Sequence, residues 1–133
     1  MAALDPCVGS TGLRRPNRAT TIELMPFTPR LVFVTAPGMK EARTLAQGIL
    51  EERLAACVNI VPGVESRYWW LGKLKKSAEV TMMIKSSAEQ FESLAGYVRK
   101  HHSYECPEIV AVAAHEISPG YRSWWDEAMM KPE

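Results

Sequence analysis

A chain of 133 residues is long enough for one domain with a sizeable core. Its 47% hydrophobic and 23% charged residues give it the composition of a globular protein. No stretch of about 18 apolar residues occurs, so no segment reads as a membrane-spanning helix. With 16 basic and 15 acidic side chains the formal net charge is only +1, too small for nucleic-acid binding by charge alone.

Residues 1–28 carry Pro6, Pro16 and Pro26 among Gly, Thr and Arg, and read as a disordered amino-terminal tail. The tail is cationic through Arg14, Arg15 and Arg18, a leaning that a mitochondrial targeting segment shares, while an unstructured cytoplasmic tail is the preferred reading. It lacks the apolar core of a secretory signal. Cys7, Cys57 and Cys106 are three thiols without a disulfide spacing, which also favours a reducing compartment. Residues 29–133 then form the folded domain.

Leu31-Val32-Phe33-Val34 is a buried strand that stops at Pro37-Gly38. Ala42, Leu45, Ala46, Ile49 and Leu50 repeat at three and four, which predicts a helix with Glu41, Arg43, Glu51 and Glu52 on its wet side. A second strand runs from about Ala55 to Leu71, with a bulge at Pro62-Gly63 because proline cannot donate a ladder bond. Gly72 turns the chain into a returning strand in which Val80, Met82 and Ile84 alternate with Thr81, Met83 and Lys85. A capping box, Ser86 with Glu89 or Ser87 with Gln90, opens a second helix with Phe91, Leu94, Ala95 and Val98 on one stripe. That helix closes near His101 or His102. Glu108 to Ala114 is the fourth strand, and Tyr121 to Met130 a terminal helix.

Strand, helix, hairpin, helix, strand is a split βαβ order, an α+β fold with both helices on one face of an antiparallel sheet. The other face is left open and needs a covering subunit. Trp69 and Trp70 make the same demand, since adjacent strand residues point to opposite faces.

Chemistry concentrates in His101-His102-Ser103-Tyr104-Glu105-Cys106-Pro107-Glu108, where imidazole, carboxylate and thiol could hold a divalent transition metal. No C-x-x-C or H-E-x-x-H spacing marks a preformed zinc site. The plainer account is that the histidines close a helix, where a cationic ring suits the dipole, and that Tyr104 anchors a turn. Cys57 and Cys106 have no triad or oxyanion loop beside them, so catalysis is not expected. The third strand lacks the aromatic signature of RNA-recognition modules with this strand order, which argues against nucleic acid. Tyr68, Trp69 and Trp70 read as interface anchors ahead of a ligand platform. Lys73, Lys75 and Lys76 read as a solvated basic hairpin, with anion binding as the alternative.

Taken together, Thr35-Ala36-Pro37, Arg53 to Asn59, Tyr68 to Lys73, Glu79-Val80, Met83-Ile84-Lys85 and His102 to Ile109 resemble the CutA family of divalent-cation tolerance proteins, over about residues 31–127. The resemblance implies a ferredoxin-like fold built into a PII-like homotrimer through sheet edges and long hairpins, with no turnover reaction. It implies tolerance of copper and other divalent ions, as in bacterial members, or a role like that of animal members in acetylcholinesterase processing and anchoring. Carried over by position, His102, Glu105 and Glu108 are the expected metal ligands, with Cys106 an additional one for copper. Tyr104 and Lys85 are the expected cleft residues, and Tyr68, Trp69 and Trp70 the trimer interface. No cofactor is required beyond a possible Cu(II) or other divalent transition metal, and neither nucleic acid nor direct membrane insertion is expected. The alternative is a scaffold or signalling trimer whose clefts take a protein partner or a small anion. The chain departs from the family pattern at Ser103, Cys106, Arg122 and Val34, the last standing where some bacterial members have a copper-binding cysteine.

Overall fold

The computed structural model describes residues 26–130, so the tail assigned to residues 1–28 lies almost wholly outside the described residues. The elements are β1 (Pro29–Ala36), α1 (Met39–Glu51), β2 (Cys57–Trp70), β3 (Lys73–Ser87), α2 (Phe91–His101), β4 (Val110–Ala113) and α3 (Pro119–Ala128). The four strands form one antiparallel sheet in the order β2-β3-β1-β4. This is the α+β, ferredoxin-like βαββαβ architecture that the sequence implies. Among the described residues no helix is long and apolar enough to cross a membrane.

The core lies between α1 and α2 and one face of the sheet. Val32, Val34, Val80, Met82 and Ile84 supply the sheet side, and Leu45, Ile49, Leu94 and Val98 the helix side. Both helical stripes follow the predicted periodicity, except that Leu50, expected on the buried stripe of α1, is exposed near the helix end. The helix-free face carries Leu31, Phe33, Met83, Val110 and Val112, all partly or well exposed. Among the described residues, α3 covers one end of that face, with the Tyr121 ring 5.8 Å from the Lys85 ammonium. Buried Trp125 donates its indole N–H to the Ser86 carbonyl (3.0 Å), and Phe27 meets its ring edge-on. Arg122, which stands in place of a family leucine, lays its guanidinium 5.3 Å from the Phe27 ring centroid and so keeps a packing role.

Two details differ from expectation. The fourth strand is shorter, four residues in place of seven, because only Arg30 to Phe33 of β1 face it. The expected capping box does not open the helix: the N-cap of α2 is Gln90, without a side-chain bond, Ser87 Oγ accepts the Gln90 N–H in the turn before it, and Glu89 turns away to bind both the N–H and hydroxyl of Thr28. Ser86 donates its hydroxyl to the Leu54 carbonyl and is fully buried.

The bulge falls where Pro62-Gly63 predicts it, between Val61↔Thr81 and Val64↔Glu79, so two residues of β2 oppose Val80 alone. Gly63 has φ 76°, a value a side chain would make costly. The extra residue reverses the facing of everything beyond it. β3 itself is unbroken, so Leu74, on the parity of Met82, lies on the helix-bearing side, and its partner Trp69 lies there with it. Trp70 and Tyr68, opposite Lys73 and Lys75, continue the helix-free face. Neither tryptophan is buried: 71% of Trp69 and 53% of Trp70 stay exposed.

Candidate functional site

The His102 to Glu108 segment begins where α2 ends. The His102 backbone N–H still bonds to Val98, but its own backbone is extended (φ −82°, ψ 145°), and this turns its ring inward. Its side chain is fully buried between β1 and α1. The Tyr104 N–H can only donate and the Thr35 carbonyl can only accept, which fixes the tautomer. Nδ1 accepts from Tyr104 (3.0 Å) and Nε2–H donates to Thr35 (2.8 Å). Glu41 Oε2 approaches Nδ1 to 3.3 Å and is itself held by the N–H and hydroxyl of Ser103 (2.9 and 3.0 Å).

Tyr104 then reaches across to β3. Its hydroxyl donates to Glu79 Oε2 at 2.9 Å, and its ring lies 4.8 Å from that of His102. Burial, followed by the hydrogen bond and charge of Glu79, pushes the Tyr104 hydroxyl up to about 12. His101, one residue earlier, stays outside. It stacks 4.1 Å from Tyr97 and bonds through Nδ1 to the Tyr97 carbonyl oxygen at 2.9 Å. Beside it, a groove runs past Lys40, Glu41, Thr44 and Ser103 at the start of α1.

The residues nominated from sequence are thereby divided. Glu105, Cys106 and Glu108 are exposed on the segment joining α2 to β4, while Pro107 between them is buried. His102 differs from expectation as a ligand: both ring nitrogens are committed to the backbone, so within one chain it fastens the segment and has no lone pair to offer. Among the described residues no group of three or more His, Cys, Asp or Glu side chains is placed to hold a metal ion. A set that joins His102 to Glu105, Cys106 and Glu108 is not assembled by a single chain.

Lys85 also departs from its expected company. It lies six positions along β3 from Glu79, about 20 Å at the rise of a strand, so one chain does not bring it to Tyr104. Its ammonium donates to Asn59 Oδ1, sits 3.9 Å from Cys57 Sγ and lies 5.8 Å from the Tyr121 ring centroid. Residues that the sequence left unassigned turn out to be central. Glu41 read as a wet helix position and Glu79 as a strand residue, and only the tertiary fold brings both to the His102 segment.

Comparison with known proteins agrees with this architecture. The family model "CutA1 divalent ion tolerance protein" matches residues 30–128. Protein CutA of Mus musculus is 37% identical over 110 residues, which are 83% of this chain and 62% of that protein. The chloroplastic Protein CutA 1 of Oryza sativa subsp. japonica is 36% identical over 115 residues, 86% of this chain and again 62% of the relative, so the chain spans less than two thirds of either. Among solved structures, the divalent cation tolerance protein (Cut A1) of Thermus thermophilus superimposes with a TM-score of 0.74 at 40% identity, covering 75% of this chain and 97% of that one. The family's description is one of divalent ion tolerance. The chain belongs to the CutA1 divalent ion tolerance protein family.

Proposed function

We propose that the protein works without catalysis, as a homotrimer that binds a divalent cation, copper(II) foremost, where protomers meet. The observation that carries this reading is the incompleteness of the site in one chain. Glu105, Cys106 and Glu108 are exposed oxygen and sulfur donors on a segment pinned by His102, and among the described residues they do not converge into a group of three that could hold an ion. Thiolate and carboxylate together suit copper, and a donor supplied by a second subunit would complete the set. The helix-free face, with Leu31, Phe33, Val110 and Val112, and the long hairpin with Tyr68 and Trp70 are the apolar surfaces that a trimer would cover. Free Cys57 and Cys106 suit the cytoplasm, where thiols stay reduced.

Calorimetric titration of the full chain with copper and zinc, its mass followed by light scattering, tests the proposal. One saturable site per chain is expected on a trimer, lost in Cys106→Ala with Glu108→Ala. A trimer without a site would refute cation binding, and a monomer would refute the assembly.

A second reading, a scaffold trimer that takes a protein partner of the acetylcholinesterase-processing kind or a small anion, is favoured by the same absence of a grouped ligand set among the described residues. Partner capture that persists in the Cys106 and Glu108 double variant would support it.

A further inference from the structure

The hairpin beyond the bulge has two faces, and copies meeting on the helix-free side would cover only one of them. The remaining face carries Trp69 opposite Leu74, 71% and 69% exposed, and ends in Leu71 at 86%. Leu71 and Gly72 both have positive φ (51° and 76°), the two-residue turn that normally selects asparagine and glycine. A leucine there accepts backbone strain and full exposure together. Charge is concentrated in the same place. Between Ser66 and Ala78 the chain holds Arg67, Lys73, Lys75 and Lys76 and no acidic residue, although the whole protein is balanced to +1. Arg67 pairs with Glu65, and the three lysines are exposed and in no ion pair among the described residues.

We propose that this hairpin tip docks on an anionic lipid surface. The tip is a tight two-residue turn whose apolar side chains stand in solvent. Lys76 shares the face of Trp69 and Leu74, and Lys73 and Lys75 flank the same tip from the opposite face, so the exposed apolar end has cations on both sides, which complements a layer that is anionic outside and apolar within. Tryptophan and leucine rest at the headgroup boundary, and lysines meet anionic headgroups from the rim. The contact is peripheral: the tip enters the headgroup layer and nothing crosses the bilayer.

The test uses the full chain with vesicles of phosphatidylcholine alone or with about 30% phosphatidylserine, read by co-sedimentation and tryptophan emission, with light scattering of the protein alone in parallel. Binding to the phosphatidylserine vesicles only, a blue-shifted emission and release by salt are expected. Lys75→Glu with Lys76→Glu weakens binding by about 25-fold or more, from roughly a fivefold contribution per lysine. Leu71→Asn, which suits the turn and so keeps the fold, weakens it by about tenfold. No binding, or equal binding to both vesicles, overturns the proposal. So does a fall in oligomer mass in Leu71→Asn, which would assign the tip to contact between copies.

Discussion

The two halves of the β2–β3 hairpin share one ladder but not one environment. At the base, Val80, Met82 and Ile84 are at most 5% exposed, because α1 and α2 lie across them. Beyond Pro62-Gly63 the ladder continues but the alternation gives way to mostly polar residues, and the large apolar ones that remain, Trp69, Trp70 and Leu74, are more than half exposed. The pairing is continuous through both halves, so the difference lies in what is laid on the strands. The base is finished by its own chain. The arm waits for something outside it.

The largest effect that separates the halves is core truncation. Leu94→Ala removes a fully buried side chain and is expected to cost about 3 kcal/mol, seen as a lower urea midpoint at every protein concentration. If the arm is finished by other copies, Trp70→Ala instead makes the midpoint depend on concentration. An equal, concentration-independent loss in both variants would break the comparison.

A smaller loss is expected at the joint between the site and the base. His102→Ala leaves the Thr35 carbonyl and the Tyr104 N–H without their partner, a cost of about 2 kcal/mol for groups in a part-buried setting. It also frees Tyr104 from Glu79. Spectrophotometric titration checks this: one tyrosine that ionises near 12 in the parent protein should fall back toward 10 in the variant. Because the folded value is raised, this group's share of stability is complete below pH 10 and disappears as the pH rises toward 12.

Much of this was legible in the chain itself. The three-and-four spacing of Ala42, Leu45, Ala46 and Ile49 admits one buried stripe, and the strand alternation of Val80, Met82 and Ile84 admits one buried face. Pro62 announced the bulge. Its consequence was not legible, because which tryptophan faces which way depends on how many residues oppose Val80, a property of the pairing. The site was half legible for a similar reason. The His102 to Glu108 cluster stands out by composition, but the inward turn of His102 depends on the Thr35 carbonyl, 67 residues away, and every backbone carbonyl looks alike in sequence. Glu41 and Glu79 were hidden because a carboxylate on a helix or strand usually faces water.

The bulge gives the next prediction. Gly63→Val places a β-branched side chain at φ 76° and is expected to cost about 1–2 kcal/mol if the backbone holds. Any relaxation that removes the bulge would exchange the facings of Trp69 and Trp70. Protection of each indole from a water-soluble quencher in single-tryptophan backgrounds reads that exchange. Unchanged protection together with unchanged stability would mean that the arm's orientation does not depend on Gly63.

The smallest effect sits where the folded domain begins. Burial works against a charged Glu89, but two bonds from Thr28, one from its own backbone N–H and the charge of Arg30 outweigh it and hold the carboxyl below its ordinary 4.5. A lowered folded value means that the group stabilises the protein above the ordinary carboxylate range and stops doing so as the pH falls through it. Glu89→Gln should therefore flatten the acid limb of the stability profile as the pH falls below the ordinary carboxylate range, while leaving the alkaline limb set by Tyr104 untouched. This separates the two ends of β1: Thr28 with Glu89 fastens its entry in an acid-sensitive way, whereas Thr35 with His102 and Tyr104 fastens its exit in an alkali-sensitive one. An acid limb that keeps its slope in Glu89→Gln would move the acid sensitivity to another carboxylate and leave the entry of β1 held by its ladder bonds to β3 and β4 alone.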